Sequence, residues 1–382
     1  LATVAPAARS RAALAEVALL FLKLGVVGFG GPAAHVALMH EEVVRRRRWV
    51  TEEEFLDLVG ATNLIPGPNS TELAIHLGYR RAGWAGLWAA GACFILPAFF
   101  AVLACAWAYV RFGALPQVAS ALYGAKPGIL AVVAAALWGL GRTALRDALT
   151  RGVAACVLAA WLAGAHELLL LFGAGLLAVA VRVGGAAWTA LVVASAPAVA
   201  AAPAVPFQLG TLFFTFLKIG SVLYGSGYVL LAFLHADFVA RLGWLSESQL
   251  LDAVAVGQVT PGPVFTTATF VGYLVGGLPG AVVATVGIFL PSFVFVAATH
   301  PLVPRMRQSR LASAFLDGVN AASWALMAGV SLRLARASIT DGLTLGLAAL
   351  ALLLLWRRVN AAWVVVGCGL VGTVAREVVT RL

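Results

Sequence analysis

Residues 186–205 read AAWTALVVASAPAVAAAPAV, 20 residues without a charge, and similar apolar runs recur along most of the chain. About 20 apolar residues of helix cover the hydrocarbon core of a bilayer. Only α-helices and closed barrels satisfy their backbone inside lipid, and the short alternating segments of a barrel are absent here. The reading is therefore an all-α, polytopic membrane protein. Of the 382 residues, 62% are hydrophobic and 11% charged, against about 25% charged in a typical soluble domain. That excludes a soluble enzyme, a disordered chain and a nucleic-acid-binding domain.

The basic residues fall into two populations. Of 26 Lys and Arg, 23 are Arg, mostly in loops, where cations orient membrane helices. The three lysines, Lys23, Lys126 and Lys218, lie inside apolar segments. An intramembrane cation points to a functional site, the bland alternative being a side chain that snorkels to the interface. The four cysteines are scattered without metal-type spacing, so neither a metal site nor a cofactor is expected. No cleavable signal sequence is evident.

The chain repeats itself. Residues 21–31 read FLKLGVVGFGG and residues 216–226 read FLKIGSVLYGS. Held at an offset of 195, the register pairs His40 with His235, Trp49 with Trp244, Glu52 with Glu247 and Asp57 with Asp252. It also pairs Pro66-Gly67-Pro68 with Pro261-Gly262-Pro263. At 194 it continues through Gly78 and Gly272, Pro97 and Pro291, and Gly124 and Gly318. Two homologous halves, 12–182 and 208–378, are expected, joined by a linker helix over 183–207. Arg45–Arg48 crowd one loop of the first half, whereas its counterpart carries Arg241 alone; near Arg111 the bias reverses in favour of Arg305, Arg307 and Arg310. Opposite bias in equivalent loops predicts inverted-topology repeats, with about 13 membrane segments in all. Within the first half, capping boxes open helices at Thr51, and at Ser246 in the second. The Thr51 helix is expected to run to Ile65; long spans follow at 84–110 and 117–141, and shorter ones at 152–165 and 168–182.

Each half carries a broken helix. Proline ends the hydrogen-bond ladder and pushes the preceding residue out of the helical region. Pro66, Pro68, Pro261 and Pro263 therefore stop a helix deep in the bilayer, and a new helix starts near Asn69. Free amides and a positive dipole end make such a start an anion site. Donors cluster there: Asn63, Asn69, Ser70 and Thr71 in the first half, and Gln258, Thr260, Thr266, Thr267 and Thr269 in the second, around Gly67 and Gly262. Hydroxyls bonded back to the backbone are the bland alternative. Gly28, Gly30, Gly31 and Pro32, with Gly225, Ser226 and Gly227 as counterparts, break the first segment of each half, either for close packing or to bare amides to a ligand. Lys23 and Lys218 precede these breaks and are read as offsetting an anion's charge. Glu72 is a counter-ion for Lys23, a proton-coupling carboxylate or a helix-start charge; Asp57 and Asp252 are further proton-coupling candidates. His35 and His76 read as packing histidines.

Residues 21–100 contain FGGP, PGPN and FILPAFF in that order and closely resemble the signature region of the chromate ion transporter family; 213–295 resembles the second domain of its long-chain, two-domain members. The resemblance implies a multi-pass protein of the bacterial inner membrane that exports chromate and confers resistance. It implies secondary transport, with anion exchanged against protons and no ATP. Matching positions are Lys23, Gly30, Gly31, Pro32, Asn63, Pro66, Gly67, Pro68 and Asn69. The second half departs from the pattern: Ser226-Gly227 replaces Gly-Pro, and Val264 replaces Asn, so two equivalent half-sites are not expected. The expected partners are a chromate- or sulfate-like dianion and the lipid bilayer, with homodimerisation left open. The competing readings are transport of sulfate or another anion, and an anion channel. An enzyme is disfavoured because HExxH, GxSxG and Cys/His sets are all missing.

Overall fold

A computed structural model describes residues 11–29, 31–113, 115–183, 206–224, 227–300 and 310–381. Among these residues the chain forms fourteen α-helices and no strand. In order they are α1 (Arg11–Val27), α2 (Gly31–His40), α3 (Glu52–Thr62), α4 (Asn69–Phe112), α5 (Pro116–Ala144), α6 (Ala148–Leu162), α7 (Glu167–Val183), α8 (Leu209–Val222), α9 (Leu230–Leu234), α10 (Glu247–Val259), α11 (Thr267–Thr299), α12 (Arg310–Ser338), α13 (Gly342–Trp356) and α14 (Ala361–Arg381). Among the described residues, three segments are long and apolar enough to cross a membrane: α4, α5 and Val264–Thr299, which contains α11. The expected spans 84–110 and 117–141 fall within α4 and α5. The expected linker helix over 183–207 lies almost entirely outside the described residues, as do Gly30, Gly225 and Ser226.

The residues group into two compact units, and each draws on both halves of the sequence. The first comprises Leu1–Phe112, Phe207–Gly227 and Val256–Arg307; the second comprises Gly113–Pro206, Tyr228–Ala255 and Gln308–Leu382.

In the first unit α1 packs along α4, α8 packs along α11, and α4 meets α11. The two crossings use the same device. A Cβ at Gly25 would come within 2.8 Å of the Phe94 carbonyl, and one at Gly220 would overlap that of Ile288, so only glycine lets these backbones touch. Helix α4 is bent back on itself. Ala82 and Gly83 leave helical geometry, Gly83 at φ +63°, and Gly78 and Gly86 meet backbone to backbone across the bend. Gly276 and Gly277 bend α11 in the same way, with Gly272 against Gly280. An arm over 69–81 thus turns into a longer arm over 84–112.

Ion pairs show how the short helices run. Arg80 at the end of the short α4 arm bonds Glu54 at the start of α3 (2.6 Å), and Arg81 bonds Glu16 at the start of α1 (2.7 Å). His40, ending α2, bonds Glu52 (2.8 Å). So α1–α2 and α3 with the short α4 arm are two hairpins that enter and leave at one basic end. With 11 residues, α3 rises about 16 Å, roughly half the ~30 Å core. The sequence predicts this helix to Ile65; it stops at Thr62, because Asn63 caps it three residues before the proline. Its Thr51 capping box is present, as is the one at Ser246.

In the second unit α5 packs on α13 and α14, while α12 packs on α5, α6 and α7. A Cβ at Gly124 would overlap the Cys368 carbonyl and one at Gly318 that of Ala174, again a pair of equivalent contacts. Arg182 bridges Asp147 (2.6 Å) and Asp317, and Lys126 pairs with Asp252 at 3.6 Å. Matching capping boxes open α6 at Asp147 and α13 at Asp341.

Candidate anion-binding site

The site lies at the tips of the broken hairpins, within the first unit. The amide of Gly67 donates to the Leu223 carbonyl (2.8 Å), and the amide of Gly262 donates to the Gly28 carbonyl (2.8 Å). Each Pro-Gly-Pro is thereby held by the other half's broken first segment, and two backbone donors stranded by the breaks are satisfied without solvent. His35 is buried, and its Nε2 lies 2.9 Å from that same Gly28 carbonyl. It is a packing histidine that fixes the break.

A cavity of about 50 Å³ opens between these tips, room for a few water-sized groups. Its walls come in equivalent pairs: Pro32 and Gly227, Pro68 and Pro263, Asn69 and Val264, Ser70 and Phe265. The backbone positions match and the chemistry does not. The first-half wall is polar and coincides with the start of α4. There Pro68 accepts from the amides of Thr71 (2.7 Å) and Glu72 (3.1 Å), so Asn69 and Ser70 precede the first intrahelical donors. Asn69 donates its side-chain amide to Asn63 Oδ1 (2.6 Å), which fixes its orientation. The second-half wall is apolar.

The same asymmetry continues behind the walls. Glu72 is fully buried next to Gly67, and Ser292 Oγ from α11 crowds the same side of that glycine. At the equivalent place, the nearest side-chain atom to a Cβ on Gly262 would be the methyl of Ala98 (2.7 Å). Gln258, the counterpart of Asn63, has Val264 where Asn63 has Asn69, and its buried Nε2 finds no acceptor.

The other predicted site residues are placed differently. Thr266 and Thr267 are buried and donate their hydroxyls to the carbonyls of Pro263 and Val264 (2.8 Å each), and Thr269 meets Thr285 (2.7 Å). Thr260 likewise bonds Val256 (2.8 Å). Thr71 is buried behind the wall with its hydroxyl unpaired. Gly31 sits at φ +79° at the head of α2. Lys23 has Glu42 as its counter-ion (3.0 Å), not Glu72, and its side chain is 55% exposed. The expectation of a buried ammonium is thus corrected: the hairpin brings Glu42 back beside it. Burial alone raises the Glu42 carboxyl, but Lys23, Arg47 and Arg46 together carry it below the ordinary carboxylate range. Lys218 is half-buried on α8, Asp57 half-buried on α3, and Asp252 buried against Lys126. Sequence reasoning passed over Ser292, Phe265 and His300. Alignment of Ser292 with Ala98 was the available signal, a hydroxyl in one half where the other has a methyl.

Apolar helices long enough to cross a bilayer, with paired breaks around a small cavity, define a helical membrane protein. The chromate transporter family profile matches residues 15–180 and again 210–373, and the chain belongs to that family. It is 35% identical to the chromate transport protein of Cupriavidus metallidurans over 373 residues, which is 95% of this chain and 93% of that one. It is 33% identical to the chromate transport protein of Pseudomonas aeruginosa over 377 residues, 92% and 90% of the two chains. It is 32% identical to the probable chromate transport protein of Synechococcus elongatus over 360 residues, 90% of each. These relatives are named as transporters, not enzymes. No solved structure matches the chain.

Proposed function

We propose that this chain is a secondary transporter that exports chromate across the bacterial inner membrane in exchange for protons, and so confers chromate resistance. The observation that carries the reading is the cavity with one polar and one apolar wall at the paired breaks, in a chain whose relatives are named chromate transport proteins. The anion is held by the amides at the start of α4, by Asn69 and Ser70, and by the unpaired Nε2 of Gln258, which has a donor to spare. Gly67, Gly262 and Gly31 let backbone approach it. Asn63 orients Asn69. Lys218 adds positive field from the flank, whereas Lys23 is already offset by Glu42. Glu72 is the first candidate for the coupling carboxylate, because it is buried beside the cavity; Asp57 and Asp252 are the second and third candidates.

The chain works as two inverted repeats, 12–182 and 208–378, with 183–207 as the linker. The recurring hydrogen bonds, glycine contacts and capping boxes at offsets of 194–195 support the repeat, and movement of one repeat against the other then alternates access. Sulfate, another tetrahedral dianion, is the alternative substrate, since the cavity presents donors and no group that reads the central atom.

Chromate flux into proteoliposomes, with and without an imposed pH gradient, tests the reading. Saturable flux driven by the gradient is expected. Flux indifferent to the gradient refutes proton exchange, and flux of sulfate without chromate refutes the substrate.

A further inference from the structure

The short arm of α4 runs from the cavity to the basic end of the first unit, and its inner face carries protonatable groups all the way. Glu72 stands at the cavity end, fully buried; neither carboxyl oxygen meets a donor in hydrogen-bonding geometry, and no cation among the described residues pairs with it. His76 follows four residues later, on the same face and about 5–6 Å away in Cβ terms. It is also fully buried, and its Nε2 has no partner. Its Nδ1 lies 3.1 Å from Nδ1 of His300 at the end of α11. His300 is half-exposed and packs on Tyr79, ring centroids 4.3 Å apart.

We propose that Glu72, His76 and His300 form the proton path of the transporter, from the Pro-Gly-Pro break to the basic end of the first unit. This rests on the proton-exchange reading above. The groups facing the path are few. Ser292 of α11 and Tyr224 beyond α8 face Glu72. His76 faces His300, and His300 faces Tyr79 and Arg80, which is paired with Glu54. A buried carboxyl without a cation carries either a proton or a costly bare charge. In one transfer, reset afterwards by flips of both rings and reprotonation of Glu72, a proton leaves the Glu72 carboxyl and binds His76 at Nε2. The proton on His76 Nδ1 passes to Nδ1 of His300, whose Nε2 releases its own to water. One proton has then moved from the cavity to the basic end, and Glu72 is left as a carboxylate. The alternative, a histidine pair that only packs, predicts effects on stability and none on coupling.

The test uses the full chain in proteoliposomes carrying an internal pH dye. Chromate–chromate exchange and gradient-driven chromate flux are measured for the unsubstituted protein, His76→Gln and His300→Gln. His300 is less buried than His76, so its substitution disturbs the packing less than one at His76. The path predicts that exchange persists in both variants while gradient-driven flux falls about 100-fold, the lower end of what a positioned proton-transfer group contributes. Driven flux that survives in His300→Gln overturns the path, as does parallel loss of exchange and driven flux in a folded variant. If the unsubstituted protein shows no gradient dependence, the proton-exchange reading itself has failed, which this comparison distinguishes from failure of the path alone.

Discussion

The amide of Gly67 bonds the carbonyl of Leu223 at 2.8 Å, and 195 residues along, Gly262 bonds Gly28 at the same distance. These two bonds lock the break of each half onto the broken first segment of the other. They set the cavity between equivalent positions of the two halves, which carry different side chains.

Gly67 holds φ +134°, and a Cβ there would overlap Glu72 Oε1 and lie 2.9 Å from Ser292 Oγ. Gly67→Ala is therefore expected to cost at least about 1–3 kcal/mol from backbone strain. Gly139→Ala, in open space within α5, serves as control. Thermal unfolding in detergent should show a lowered Tm for the first and none for the second; equal Tm values would contradict the crowding at Gly67.

Arg48 and Gly243 occupy equivalent turns, at φ +52° and +65°. The turn is the same in both: Trp49 bonds back to Val43 (2.8 Å) and Trp244 to Phe238 (2.9 Å). An arginine there carries strain of about 1 kcal/mol that glycine does not. Arg48 is exposed, and among the described residues it is Arg45, Arg46 and Arg47 that pair with Glu41, Glu42 and Glu16. Arg48→Gly should raise the Tm; a lowered Tm would show that the side chain contributes more than the turn costs.

Asp341 caps α13, and its carboxyl is carried down to about 2 by the Tyr123 hydroxyl and then by the Thr344 amide. A carboxyl held below its unfolded value of 3.8 stabilises the fold fully above that pH. The contribution fades as pH falls from about 4 towards 2. The Tm gap between the unsubstituted chain and Asp341→Asn should thus narrow over that range. A gap that stays constant would place the effect in packing.

Much of this architecture was legible because backbone chemistry is written in rare residues. Pro66 and Pro261 mark the breaks, Thr51 and Ser246 mark helix starts, and the shared register foretells the equivalent contacts of Gly78 and Gly272. Lys23 was misread, since nothing local says that a chain turning at Gly31 returns Glu42 beside it. The bonds from Gly67 to Leu223 and from Gly262 to Gly28 were equally hidden, being made by backbone atoms far apart in sequence. The threonines after Pro263 looked like ligands by composition, yet Thr266 and Thr267 spend their hydroxyl protons on the turn that starts α11.

The central claim is that the polar wall at Asn69 binds the anion and its apolar mate at Val264 does not. Calorimetric titration of chromate into the purified chain, Asn69→Val and Val264→Ala tests it most directly. Loss of hydrogen bonds to a charged group costs about 1.5–3 kcal/mol, so Asn69→Val should weaken binding by about 10- to 100-fold, with Val264→Ala close to the unsubstituted protein. Equal affinity in Asn69→Val and the unsubstituted chain would contradict the account.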